Sequence, residues 1–158
     1  MKIVHPIPPL FSPVSDVLIL GSFPSVKSRE NMFFYGHPQN RFWKVIATLF
    51  CCEVPKTIDE KKQLILNNDL ALWDVIAECE ITGSADSTIK NVVPNDISGI
   101  LNESQISRIF VNGKTAFKYY RKYIEQEVGI KAVCLPSTSP ANANFTFDML
   151  VESWKAIL

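Results

Sequence analysis

The chain has 158 residues, 47% of them hydrophobic and 20% charged, with sixteen Lys and Arg balancing sixteen Asp and Glu. That describes one folded domain over residues 1–158, large enough to bury a core without a metal or disulfide staple. It excludes a disordered polyelectrolyte, and a protein that holds nucleic acid by net charge alone, although charge concentrated locally can still do so.

The first thirteen residues, MKIVHPIPPLFSP, are broken by prolines and do not form a secretory signal. No run approaches the roughly 20 apolar residues of a membrane span. Residues 17–20, Val-Leu-Ile-Leu, are a short apolar run ending at Gly21, which predicts a buried strand. A long loop follows, and residues 41–50 then carry Phe42, Val45, Ile46 and Leu49 at helical spacing. Asn40 stands where a cap is expected. Asp59 and Glu60 mark the first turn of a second helix, from Thr57 to about Leu66. Residues 70–74 predict another strand. Residues 80–95, rich in Ser, Thr, Gly, Asn and Asp, predict irregular chain. A short helix starts at Asn95 and Asp96 and runs to Leu101. Residues 108–112 form a strand running into Gly113, and an amphipathic helix continues to about Glu127. Residues 131–135 are the last strand, ending at Pro136, and residues 145–158 form the closing helix after the loop 137–144.

Four buried strands alternating with helices imply an α/β fold of three layers, α/β/α, around a central, mostly parallel four-stranded sheet. The loops after Leu20, Asp74, Asn112 and Leu135 then converge at the carboxyl ends of the strands, where such sheets bind ligands. Cys51, Cys52, Cys79 and Cys134 lack C-x-x-C spacing. They read as free, mostly buried thiols in a reducing cytoplasm. With two histidines, no metal site is implied. Lys27, Arg29, Arg41 and Lys44 around the first loop, and Lys114, Lys118, Arg121 and Lys122 later on, are local concentrations of positive charge.

The first of these loops opens with Gly21-Ser22-Phe23-Pro24-Ser25, too short for a Walker phosphate loop and without a dinucleotide fingerprint. It continues through Phe33, Phe34, Tyr35, His37 and Asn40. Core packing is expected for at least one of the two phenylalanines, and loop support for His37. The last loop reads Ser137-Thr-Ser139-Pro140-Ala-Asn142.

GSFPS, then FFYGHPQNRFW, with STSPANA near the end, resembles the uracil-DNA glycosylase superfamily, in order and across nearly the whole chain. HPQNRFW is similar to its mismatch-specific uracil/thymine branch. Together with GSADSTIKNVVPNDI, the set looks most like the hypoxanthine-DNA glycosylase branch, family 6. The resemblance implies a monofunctional hydrolase that cuts the N-glycosidic bond of a deaminated base flipped out of double-stranded DNA. It implies hypoxanthine as the base and no cofactor; the cysteine usage fits a cytoplasmic protein, and the near-neutral charge and compact length fit a monomer. Uracil or a mismatched pyrimidine, or binding of damaged DNA without catalysis, are the alternatives. Most of the superfamily carries Asp or Asn at the third position of the G-x-x-P-x turn, where this chain has Phe23. The resemblance therefore places the catalytic amide at Asn40.

For the base pocket it implies Gly21, Ser22, Phe23, Pro24, Tyr35, Asp86, Ser87, Asn91 and Asn112, with Tyr35 stacking on the base. Asp86, Ser87 and Asn91 are expected to offer the polar groups that read O6 and N1–H. DNA contacts are expected from Ser25, Lys114, Ser137, Ser139, Pro140 and Asn142. Asn40 itself can act through its oxygen on water or through its NH2 group on the base, if that contact strengthens in the transition state.

Overall fold

Every residue of the strand Val17–Gly21 is buried, as a strand covered on both faces requires. The protein is described here by a computed structural model covering residues 2–158. In chain order its elements are β1 (Lys2–Val4), β2 (Val17–Gly21), α1 (Val26–Asn31), α2 (Phe42–Leu49), α3 (Ile58–Asn67), β3 (Leu70–Asp74), β4 (Ile76–Glu80), β5 (Lys90–Pro94), α4 (Ile97–Asn102), β6 (Arg108–Asn112), α5 (Lys114–Tyr123), α6 (Glu125–Val128), β7 (Ala132–Leu135) and α7 (Phe147–Trp154). Strands β3-β2-β6-β7, in that order, form a parallel sheet.

Side chains alternate across this sheet and divide the core in two. Val17, Ile19, Leu70, Leu72 and Phe110 point to the layer of α2, α3 and α7. Leu18, Leu20, Ala71, Ile109 and Val111 point to the layer that holds α4, α5 and the second sheet. Helix α2 turns Phe42, Trp43, Val45 and Ile46 inward. Helix α3 starts with a capping box between Thr57 and Glu60, which fixes its first turn.

Four expectations need correction. Residues 80–95 are irregular only as far as Ile89: residues 90–94 form β5, which pairs antiparallel with β4, and β1 adds to the other edge of β4. The ladder shifts register between Ile76 and Glu78 and again between Glu78 and Glu80. A bulged, partly exposed strand such as β5 carries no apolar run to announce it. The first long loop contains α1, whose start is fixed by Ser25 accepting from the Ser28 N–H and whose end is Met32 in the left-handed region. The helix after Gly113 is two helices, divided at buried Ile124. Finally, the cysteines are free, but only Cys79 is buried, while Cys51, Cys52 and Cys134 are exposed. Cys51 and Cys52 lie in the turn beyond α2, and Cys134 sits on the edge strand β7. Among the described residues no helix is long and apolar enough to cross a membrane.

Candidate active site

Strand β2 comes first in the parallel sheet, and the chain adds β3 to one side of it and β6 to the other. Such a reversal leaves a crevice beyond the carboxyl ends of the strands. Gly21 ends β2 in register with Asp74 of β3, and Asn112 ends β6 in register with Leu135 of β7. Polar side chains from these ends, and from the loops above them, form one row.

At one end of the row is a buried hydrogen-bonded pair. Asp74 Oδ2 lies 2.7 Å from His5 Nε2, with both side chains almost wholly buried. His5 Nδ1 accepts the Ile7 N–H at 3.2 Å. That nitrogen therefore carries no proton, and Nε2–H donates to the carboxylate. The other carboxylate oxygen, Oδ1, makes no hydrogen bond and packs against Gly21. A Cβ at Gly21 would collide with Asp74 Oδ1 and come within 3.2 Å of the Tyr35 hydroxyl. This close approach, rather than any unusual backbone angle, is what requires glycine there.

Tyr35 reaches the same point from the loop above. Its backbone is in the left-handed region, φ +52°, a conformation that costs about 1–3 kcal/mol for a bulky residue. Its ring stacks on Phe42 at 4.0 Å. Its hydroxyl is buried without a hydrogen-bond partner, the only such side-chain atom among the described residues. Burial first, and then the Asp74 carboxylate, push its pKa up, against an opposing pull from the Asn112 amide. The hydroxyl is thus kept protonated and remains a donor.

The Asn112 amide leads to the other end of the row. Its Nδ2 donates to Thr138 Oγ1 and its Oδ1 accepts the Thr138 N–H, both at 3.0 Å. Thr138 is fully buried and passes its hydroxyl proton to Asn40 Oδ1 at 2.8 Å. Asn40 Oδ1 also accepts the Phe42 N–H at 2.9 Å; the N-cap of α2 is Arg41, without a side-chain cap bond, so Asn40 stands one residue before the cap position expected for it and satisfies the first helical N–H. Both lone pairs of that oxygen are used. The Nδ2 group of Asn40 has no partner among the described residues.

Arg41 holds this end rigid. Its guanidinium donates to the carbonyls of Phe145 at 2.5 Å and of Ser139 and Asn142 at 3.1 Å. Its backbone N–H donates to Thr138 O. Counted in the sequence as a local positive charge, Arg41 spends its donors on the last loop. Thr138→Val would leave the Asn112 NH2 without its acceptor and Asn40 Oδ1 with one donor fewer. The expected loss is about 1–3 kcal/mol of unfolding free energy, measured by urea titration, and an unchanged midpoint would remove Thr138 from the row.

The structure places the remaining expected residues as follows. Phe23 and Pro24 are buried, and the Phe23 ring meets His5 edge-on at 5.9 Å. Ser22 donates to the Asp86 carboxylate at 3.2 Å. Asp86 is exposed, yet desolvation is the main influence raising its pKa, with hydrogen bonds from Ser22 and Thr115 opposing it and Asp74 adding to the rise. Ser25 caps α1. Ser87 is exposed, and Asn91 is bonded to Glu80 on the second sheet. No hydrogen bond joins Ser87 or Asn91 to the row. Lys114 is exposed at the start of α5. Ser137 Oγ accepts the Ser139 N–H and Ser139 Oγ accepts the Ala141 N–H, while Asn142 Nδ2 donates to Ser137 O. These bonds shape the last loop, at whose tip Pro140 is exposed. Phe33 and Phe34 are both core residues, and His37 Nδ1 accepts the Gln39 N–H within its own turn.

Sequence reading passed over Asp74, His5 and Thr138. Asp74 had a signal, being an acid that ends an apolar strand beside the expected site. Thr138 lay between two serines that drew attention. His5 had none, because only the folded chain brings it across 69 residues to Asp74.

Comparison with known proteins follows from this geometry. The family model described as the uracil DNA glycosylase superfamily matches residues 8–158. A protein named hypoxanthine DNA glycosylase from Methanosarcina acetivorans is 32% identical over 145 residues, 90% of each chain. Another of that name, from Methanosarcina barkeri, is 28% identical over 137 residues, 85% of each chain. The solution NMR structure of a candidate uracil DNA glycosylase from Methanosarcina acetivorans superposes with a TM-score of 0.84 at 30% identity. It covers 99% of this chain and 96% of that one.

Proposed function

The chain belongs to the uracil DNA glycosylase superfamily, and we propose that it is a monofunctional DNA glycosylase that excises hypoxanthine from double-stranded DNA. It acts as a single-domain monomer of the cytoplasm, a setting consistent with its four free cysteines. The base is supported by the names of the relatives from the two Methanosarcina species, and by one feature of the site. Among the described residues no hydrogen bond reaches Asp74 Oδ1, and the buried Tyr35 hydroxyl, which closes on the same Gly21, has no partner.

Deamination turns the N1=C6–NH2 edge of adenine into the N1–H, C6=O edge of hypoxanthine. A flipped hypoxanthine can give its N1–H to Asp74 Oδ1 and take the Tyr35 hydroxyl proton on O6. Enzymes that flip a base commonly read this edge. Adenine would set its N1 lone pair against the carboxylate. The pair thus separates hypoxanthine from the adenine it came from. It does not separate hypoxanthine from guanine, whose 2-amino group must be met elsewhere. Uracil carries the same kind of edge, which makes it the second substrate to test.

In the reaction the C1′–N9 bond breaks and its electron pair leaves with the base. Water supplies a hydroxyl group to C1′ and a proton to the departing purine. The Asn40 NH2 group is the free donor of the row. It is suited to an acceptor atom of the base, where negative charge grows as the bond breaks, so that contact strengthens in the transition state. No lysine stands in the row to form a Schiff base, which supports hydrolysis without strand cleavage.

The deciding experiment uses duplexes carrying one deoxyinosine, one deoxyuridine or neither, scored for alkali-labile sites. Excision at inosine supports the reading, excision at uridine alone moves it to uracil, and excision at neither overturns it. Tyr35→Phe tests the edge. It keeps the ring and removes an unpaired buried hydroxyl, so stability should hold or rise. Excision of hypoxanthine should fall by roughly 3–10-fold in kcat/KM, the worth of one neutral hydrogen bond. Undiminished excision would show that the hydroxyl does not touch the base.

A further inference from the structure

Helix α5 leaves the site directly, since Asn112 ends β6 and Lys114 begins the helix. Its inward face is Ala116, Tyr119 and Tyr120, all buried. Its outward face is Lys114, Lys118, Arg121 and Lys122, all exposed. These fall at i, i+4, i+7 and i+8, which is one stripe along a helix. Among the described residues none of the four makes an ion pair, although Lys2, Lys27 and Lys155 all do. The groove they line, about 600 Å³, includes Phe117 and one acid, Glu125, at its far end. Rings hold the cations in place, with Arg121 5.5 Å from the Phe117 ring centroid and Lys118 5.2 Å from that of Tyr119. Four exposed charges of one sign along one face, on a protein of zero net charge, make a local positive field that attracts an anionic partner.

We propose that this outer face of α5 is a phosphate track that binds the backbone of the DNA flanking the lesion. From Lys114 to Lys122 the helix rises about 12 Å. One DNA strand presents a phosphate about every 3.4 Å of its axis, so three or four phosphates fall along the stripe. The track begins beside the Asn112 end of the row, and so extends the site onto the duplex without adding to the chemistry. The partner is DNA because of the function proposed above, on which this inference rests.

The test is binding of a fluorescent duplex, undamaged or carrying one inosine, over a range of salt. The variant is Lys118→Gln/Arg121→Gln/Lys122→Gln. A control, Lys56→Gln/Lys61→Gln/Lys62→Gln, makes the same change of charge around α3. The α5 variant should bind both duplexes more weakly, with the slope of log K against log salt shallower by about 2–3, at roughly 0.9 per phosphate contact. Its single-turnover excision rate at saturating enzyme should match the wild type, and the control should bind as the wild type does. Equal weakening in both variants, or in neither, would overturn the track. Because binding is read on undamaged DNA, an enzyme that fails to excise inosine but loses binding only through α5 would sink the hypoxanthine reading and keep the track.

Discussion

Asn40→Asp should reduce single-turnover release of hypoxanthine by about 10²–10³-fold, the usual cost of removing one donor that stabilises charge developing in the transition state. The fold should survive. The substituted side chain keeps an oxygen for the Phe42 N–H and the Thr138 hydroxyl, the two bonds that Asn40 Oδ1 makes now. The NH2 group, which has no partner among the described residues, is replaced by a carboxylate oxygen that cannot donate. Asn40→Ala is the coarser comparison, because it also removes the acceptor of the Phe42 N–H and of the Thr138 hydroxyl, worth about 1 kcal/mol each. Melting followed by circular dichroism, beside the release assay, separates the two effects. If Asn40→Asp released the base at the wild-type rate, the amide would hold Phe42 and Thr138 and do nothing more.

The second large effect is on stability. His5→Ala should cost about 1–3 kcal/mol, the range for leaving a buried group without its hydrogen bond, because it strands the Asp74 side chain where almost no water reaches. Replacing both partners, as in His5→Phe/Asp74→Asn, should cost less than the two single changes together, since the carboxyl that lost its donor is gone as well. Urea unfolding of His5→Phe, Asp74→Asn and the double completes the cycle. A His5→Ala protein as stable as the wild type would mean that solvent reaches the pair. The pair also bears on recognition. With Oδ2 held by His5, the side chain turns Oδ1 toward Gly21 and Tyr35.

How much of this was legible beforehand follows from the range of the interactions. The parallel sheet was legible because its strands are buried on both faces, and an unbroken apolar run such as Val17–Leu20 has few other uses. Residues 90–94 were misread as irregular because the ladder of β5 with β4 is bulged and partly wet, so neither an apolar run nor strict alternation survives there. The hydrogen bond that the Asn40 oxygen accepts from the Phe42 N–H was legible because it spans two residues. Its bond to Thr138 was not, because it spans 98. Tyr35 was marked for its ring by family resemblance, whereas its unpaired hydroxyl depends on Asp74, 39 positions away. Asp86 and Asn91 drew attention as polar residues in a polar stretch. The structure bonds Asp86 to Ser22 and Asn91 to Glu80, whereas the function proposed above gives the base edge to an acid at the end of an apolar strand.

The grip of Arg41 on Ser139, Asn142 and Phe145 also sets when the site can exist. The three carbonyls lie 98, 101 and 104 residues beyond it, and closing such long loops is slow compared with local contacts. Until residues 138–145 have been made, Asn40 lacks Thr138 and Arg41 has nothing to hold. The site is therefore assembled only when the last loop docks onto the first.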